Sequence, residues 1–276
     1  MPRPLAAEGQ PSLKQAASLK QTIAAIEAAC LSGKTRSARV HVETGIPAMD
    51  EALGGGLSRG TVHEILPRTV QDLGAAAGFA FGLATRAQEK NAHVLYIQHD
   101  FTSAETGRPY LPGLKLSGFD TSALIYLHVP RAEDVLWAMN EALKCRGFSS
   151  VIAEFPAHTR VLDLTCTRRL VLAAQEGLGF GLILRHAAAI EPNAATTRWL
   201  VSSKPSRTNP LGGIGSPHMH LDLVKNRFGS SGQWNVEWHA HDRKFETLPP
   251  AASLPGNLVQ PPVHRQGRTQ PRAAVA

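Results

Sequence analysis

Thr44-Gly45-Ile46-Pro47-Ala48-Met49-Asp50-Glu51-Ala52-Leu53-Gly54-Gly55-Gly56-Leu57-Ser58-Arg59-Gly60-Thr61-Val62-His63-Glu64-Ile65-Leu66 reads as a Gly-rich turn leading into a short apolar strand. In a nucleotide-binding α/β frame, such a strand runs into G-x-x-x-x-G-K-[ST]. The backbone N–H groups of that loop cradle phosphates, and its Lys neutralises the outermost one. Here Pro67-Arg68-Thr69-Val70-Gln71-Asp72-Leu73-Gly74-Ala75-Ala76-Ala77-Gly78 follows, without the Gly-Lys-Ser/Thr. The sequence therefore predicts the frame of a nucleotide-binding domain with its phosphate chemistry removed. Pro67, Arg68, Asp100 and Glu154 are left as vestiges of the nucleotide region.

Outward from this stretch the pattern alternates. Strands are predicted at 61–66, 93–98, 124–128, 149–154 and 179–185, and helices at 72–89, 132–146 and 160–176. Strands alternating with long helices mean a mostly parallel sheet covered on both faces, an α/β fold. After Arg185 come strand-like segments at 196–203, 218–227 and 233–240, read as antiparallel strands added to one edge. Gly74, Gly78 and Gly82 fall every four residues along the first helix, and each glycine costs that helix about 1 kcal/mol. The stripe predicts close backbone approach to the sheet.

The core is bounded at 41–248. Before it, residues 12–32 space Leu13, Ala16, Ala17, Ile23, Ile26 and Cys30 as an amphipathic helix behind Ser12, within an N-terminal extension of 1–40. After it, 249–276 is rich in Pro, Gly, Gln and Arg with no apolar period and reads as a disordered tail.

The composition of these 276 residues, 43% hydrophobic and 18% charged, supports one substantial core. A net charge of +7 favours an anionic partner, although much of the excess sits in the two ends. Cys30, Cys145 and Cys166 lack metal-ligand spacing and read as small buried hydrophobes in a reducing, cytoplasmic compartment. No apolar run approaches the roughly 20 residues of a membrane span.

Two acidic positions belong to the vestigial region. In an intact nucleotide hydrolase of this layout, the strand at 149–154 would end in an Asp holding the Mg²⁺ shell; here it ends in Glu154. Asp100, just past the strand at 93–98, stands roughly where a water-activating acid would, or is a solvated carboxylate at a strand end. A second match, Ser32-Gly33-Lys34-Thr35, ends a helical pattern rather than following a strand and is set aside.

The stretch from Thr44 to Ile65 closely resembles the segment that opens the core of RecA-type recombinases, and the element order matches over about 44–245. Four features are most similar to the bacterial ImuA family: the missing phosphate loop, His63-Glu64-Ile65 in the first strand, Thr197-Arg198-Trp199, and Trp234-Asn235-Val236-Glu237-Trp238. The resemblance implies a RecA-like accessory factor of an error-prone translesion complex in the SOS response to DNA damage. Such a factor has no catalysis and no cofactor of its own and is nucleoid-associated. Its implied partners are an ImuB-like Y-family polymerase homologue, RecA, an error-prone replicative-type polymerase and DNA. The alternative is a divergent ATP-dependent DNA-binding ATPase of the RecA superfamily.

Three further groups of residues carry expectations. Lys225-Asn226-Arg227-Phe228-Gly229 puts two cations at i and i+2, able to reach one anionic target. It resembles a motif of RadA-like ATPases, which implies contact in trans with a neighbour's nucleotide or with phosphate. Arg198, Lys204 and Arg207 beside Trp199 form a basic, Ser-containing stretch suited to DNA phosphates. His220, His239 and His241 flank a hairpin and make a weak metal candidate set against ordinary strand-face histidines.

Overall fold

The computed structural model describes residues 40–248, apart from 158, 160, 187–189, 207, 209–212 and 214. The N-terminal amphipathic segment, Ser32–Thr35, Arg207 and the tail lie outside the described residues.

The signature stretch folds as β1 (His41–Val42), α1 (Pro47–Ala52) and β2 (Leu57–Ser58), with β1 antiparallel to β2. Its residue types follow from its bonds. Asp50 accepts from the Thr44 N–H and hydroxyl, both at 2.8 Å, and from the Gly45 N–H at 3.3 Å. Gly56 has φ +113, and a Cβ there would stand 2.7 Å from the Val42 carbonyl oxygen, so only glycine closes the turn. Ile46, Met49, Leu53 and Leu57 are buried in the main core, fastening this unit to the sheet.

The sheet has nine strands: β3 (Thr61–Pro67), β4 (His93–His99), β5 (Leu124–Val129), β6 (Phe148–Phe155), β7 (Phe180–Arg185), β8 (Thr197–Lys204), β9 (His218–Asn226), β10 (Gly232–His239) and β11 (Lys244–Thr247). Their order is β11-β10-β9-β8-β3-β7-β6-β4-β5. The expected parallel sheet is present. One expectation is corrected: β8 pairs parallel to β3, and the antiparallel edge begins only at β9. The chain crosses from β7 to β8 over β3, where the Thr196 N–H bonds the Val62 carbonyl at 2.9 Å.

The helices are α2 (Leu73–Ala87), α3 (Asp100–Thr106), α4 (Leu111–Leu116), α5 (Ala132–Lys144) and α6 (Leu164–Gly177). Strand residues alternate between two cores. Ile65, Leu182 and Trp199 join α2 in one, while Val62, Ile183 and Leu170 join α5 and α6 in the other. Trp199 is fully buried against Phe79 (ring centroids 5.3 Å apart), and Trp238 packs on Phe245 at 4.7 Å.

The glycine stripe on α2 does something other than expected. Only Gly82 meets a close neighbour, the Phe245 ring. A Cβ at Gly74 or Gly78 would meet nothing within 4 Å, because these two positions face an open cleft and not the sheet. The cysteines also differ from a set of buried thiols: Cys166 is half-buried and free, and Cys145 is half-buried and disulfide-bonded. Among the described residues, no helix is long and apolar enough to cross a membrane.

Candidate functional site

The place where a phosphate loop would lie is the turn from β3 into α2. Pro67 ends β3 buried, paired with Val201. Thr69 to Asp72 then form a tight turn closed by a capping box. The Asp72 carboxylate accepts from Thr69 Oγ1 (2.7 Å) and N (3.1 Å) through one oxygen, and from Ser203 N (2.7 Å) and Oγ (2.8 Å) through the other. Burial pushes this carboxyl up, but the bonds from Ser203 and Thr69 together hold it below the ordinary range. A helix N-terminus favours an anion. At the head of α2 that anion is the chain's own, and it repels a phosphate. Arg68, the remaining cation of the turn, faces away: its guanidinium reaches Asp222 (3.0 Å) and Ser202 Oγ (3.1 Å) across β8.

Glu154 at the end of β6 is 2% exposed and fully engaged. One oxygen accepts from the Tyr96 hydroxyl and from Gln98 Nε2 (3.0 Å); the other faces His186 Nε2 and Thr106 Oγ1 (3.3 Å). Tyr126 donates to Gln98 Oε1 at 2.7 Å and extends the network. Burial first, then the charge of Glu154, pushes the Tyr96 hydroxyl well above the usual tyrosine value. The network floors a cleft of about 590 Å³ walled by Gly74, Gly78, Phe81 and the segment from Thr106 to Leu114. Asp100 does not line it: its carboxylate lies 3.1 Å from His128 Nε2 at the outer edge of the sheet, and Gln98 takes the inward place.

A second cleft, of about 470 Å³, opens on the opposite face between α6 and the end of β9. Lys225 and Arg227 both line it, as the i, i+2 spacing predicts, and Arg168 of α6 joins them. Lys225 Nζ donates to the Asn193 carbonyl at 2.8 Å.

The DNA candidates separate. Arg198 is 6% exposed and inward, bonded to Glu64 and to the Glu191 carbonyl, so a role as a surface phosphate contact is corrected. Lys204 is exposed at the end of β8. The sequence reading missed the partner of Arg198: Glu64 is wholly buried and also pairs with Arg185 at 3.3 Å. A lone Glu within an apolar strand was the available signal. The histidines are not brought together, since His220 bonds Asn235 Oδ1 (2.9 Å) while His239 faces Glu246 (3.3 Å). His241 stands in the turn between β10 and β11, and among the described residues no group of His, Cys, Asp and Glu could hold a metal ion.

The crystal structure of the RadB recombinase superposes with a TM-score of 0.51 at 15% identity, covering 75% of this chain and all of that one. The fold is RecA-like. No family model matches the chain. Protein ImuA of Caulobacter vibrioides is 29% identical over 221 residues, covering 74% of this chain and 85% of that protein; sequences from strains NA1000/CB15N and ATCC 19089/CIP 103742/CB 15 match equally. Its relatives by sequence are ImuA proteins.

Proposed function

We propose that this protein is a non-catalytic RecA-like accessory factor in damage-induced mutagenesis, acting through what it binds. The observation that carries this reading is Asp72, a bonded carboxylate at the head of the helix where a nucleotide hydrolase receives phosphate. The similarity to ImuA supports the cellular setting, and the RecA-like fold supports a frame kept for its surfaces. The partners we infer are an ImuB-like polymerase homologue, RecA and an error-prone replicative-type polymerase in the cytoplasm. Of the DNA candidates Arg198 and Lys204, it is Lys204 that is exposed. The competing ATPase reading requires a cation at the head of α2, and Arg68 is committed to Asp222.

Two measurements test the reading. Melting with and without Mg-ATP is expected to show no shift. A ligand at a hundred times its Kd adds about 2.7 kcal/mol, so a rise of several degrees overturns the non-catalytic reading. Co-purification from nuclease-treated extracts of DNA-damaged cells is expected to recover the polymerase homologue or RecA. Recovery of neither, with single-stranded DNA binding intact, overturns the accessory role.

A further inference from the structure

The α6/β9 cleft has features the vestigial nucleotide region lacks. Asn193 is 9% exposed, and its Nδ2 has no hydrogen-bond partner among the described residues. Its own Oδ1 accepts from the Ala195 N–H at 3.2 Å and from Lys225 Nζ at 3.5 Å, and the Ala194 N–H is held by Thr167 Oγ1 at 3.0 Å, so the loop is fixed and Asn193, its Nδ2 buried just beneath the surface, is part of a built wall. A buried donor left unpaired carries a desolvation penalty that a bonded acceptor relieves. Around it stand Arg168, Lys225 and Arg227. Burial, then the neighbouring Arg198, lowers the Lys225 ammonium below its ordinary value, the condition of a cation crowded by cations. Beneath lie Glu64, Arg185 and Arg198, with Arg185 also facing the Glu191 carboxylate at 3.6 Å, so the two buried guanidinium groups are balanced by two carboxylates and the cleft's charge comes from its own three cations.

The rest of the wall is apolar. Leu164, Val171 and Leu172 come off α6 at helical spacing beside Arg168, and Leu172 is 63% exposed. An isolated phosphate has no use for these leucines, and among the described residues no aromatic ring lines the cleft for a base to stack on. An acidic side chain placed next to an apolar one uses both. The chain's own ends do not supply it: residues 249–276 contain no Asp or Glu, and residues 1–39 set Glu8 and Glu27 against Arg3, Lys14, Lys20, Lys34, Arg36 and Arg39.

We propose that this cleft receives a short acidic, leucine- or phenylalanine-bearing segment of a partner protein, its carboxylate accepting from Asn193 Nδ2 and Arg168 and its apolar side chain lying on Leu164 and Leu172. This rests on the accessory-factor reading and names the chemistry of its partner.

The test is a selection of random short peptides on the full-length chain, followed by anisotropy titration of the best fluorescein-labelled peptide, a short oligo(dT) and a fluorescent ATP analogue. Selected peptides are expected to carry Asp or Glu within one turn of Leu or Phe. Arg168→Glu is expected to weaken the selected peptide by roughly tenfold or more, since it sets like charges against each other. Asn193→Leu removes the free donor and is expected to weaken it as well, with each variant's melting curve recorded to show that it is folded. Selected peptides without acids, an acidic peptide that binds both folded variants as it binds the parent, or oligo(dT) or ATP binding in the cleft with no acidic peptide selected would each overturn the proposal. The titration uses no DNA damage and no partner extract, so its failure leaves the accessory reading to its own tests.

Discussion

Replacing Asp72 by Ala removes four hydrogen bonds at once, two to Thr69 within the turn and two to Ser203 on β8. Loss of a cap costs about 1 kcal/mol. Bonds to a charged acceptor contribute about 1.5–3 kcal/mol each when their partners stay dry, but Ser203 and Thr69 are exposed and water replaces much of that. The net cost is therefore roughly 2–3 kcal/mol. For a domain of this size each kcal/mol shifts the melting temperature by about 2–4 °C, which gives a fall of about 5–10 °C. Because the folded carboxyl is held below its ordinary value, its contribution is present above the unfolded-state value and is lost as pH falls through the folded one. Asp72→Asn should therefore flatten the acid limb of a stability–pH curve that the parent shows below about pH 4. Differential scanning calorimetry across pH reads both effects. A variant melting within about one degree of the parent would mean that Asp72 does not tie α2 to β8, and the account of the helix head would fall with it.

Other positions give equally direct outcomes. Burial lowers the His63 imidazole from 6.5 to about 4, with the bond to the Ser58 carbonyl opposing, so its stabilisation is complete above 6.5 and is lost as pH falls towards 4. Urea unfolding should show about 2 kcal/mol less stability at pH 5 than at neutral pH, a difference that shrinks in His63→Gln. Glu64→Gln leaves Arg198 buried without its counter-charge and Arg185 with only the exposed Glu191, and should cost about 3–5 kcal/mol in the same assay. On α2, Gly78→Ala adds a Cβ that meets nothing within 4 Å and should stabilise by roughly 0.5–1 kcal/mol. Gly82→Ala drives a Cβ to 2.5 Å from the buried Phe245 ring and should destabilise by about 1–3 kcal/mol. Equal effects at the two glycines would show that they face the same environment.

What could be read from sequence was whatever is local or periodic. The alternation of apolar strands with long helices was legible because period and length are written in neighbouring residues, and so was the missing Gly-Lys-Ser/Thr. The direction of β8 was not, since an apolar run of strand length is the same whether the strand runs parallel or antiparallel. The spacing of Gly74, Gly78 and Gly82 correctly set them along one helix, but what that stretch meets depends on the segment from Thr106 to Leu114, whose short helices have too few turns to show a period. Arg198 looked like a surface cation because its partner, Glu64, lies 134 residues away. Asn193 gave no signal: an amide in a loop looks alike whether its hydrogens are bonded or free.

The two clefts differ in what they offer a ligand. In the vestigial nucleotide region three groups that could have served phosphate chemistry are engaged by the protein itself: Asp72 by Ser203 and Thr69, Glu154 by Tyr96, Gln98, Thr106 and His186, and Arg68 by Asp222. Satisfied polar groups rigidify a core and offer little to a ligand, because each new bond must first break an old one. At the α6/β9 cleft the balance is reversed, with a donor unpaired, three cations converging and leucines exposed beside them. There Asn193 Nδ2 and the two arginines offer donors to a ligand, while Lys225 already donates to the Asn193 carbonyl. On this accounting the nucleotide end of the sheet now serves stability, and the face across β3 from it is where a partner gains most by docking.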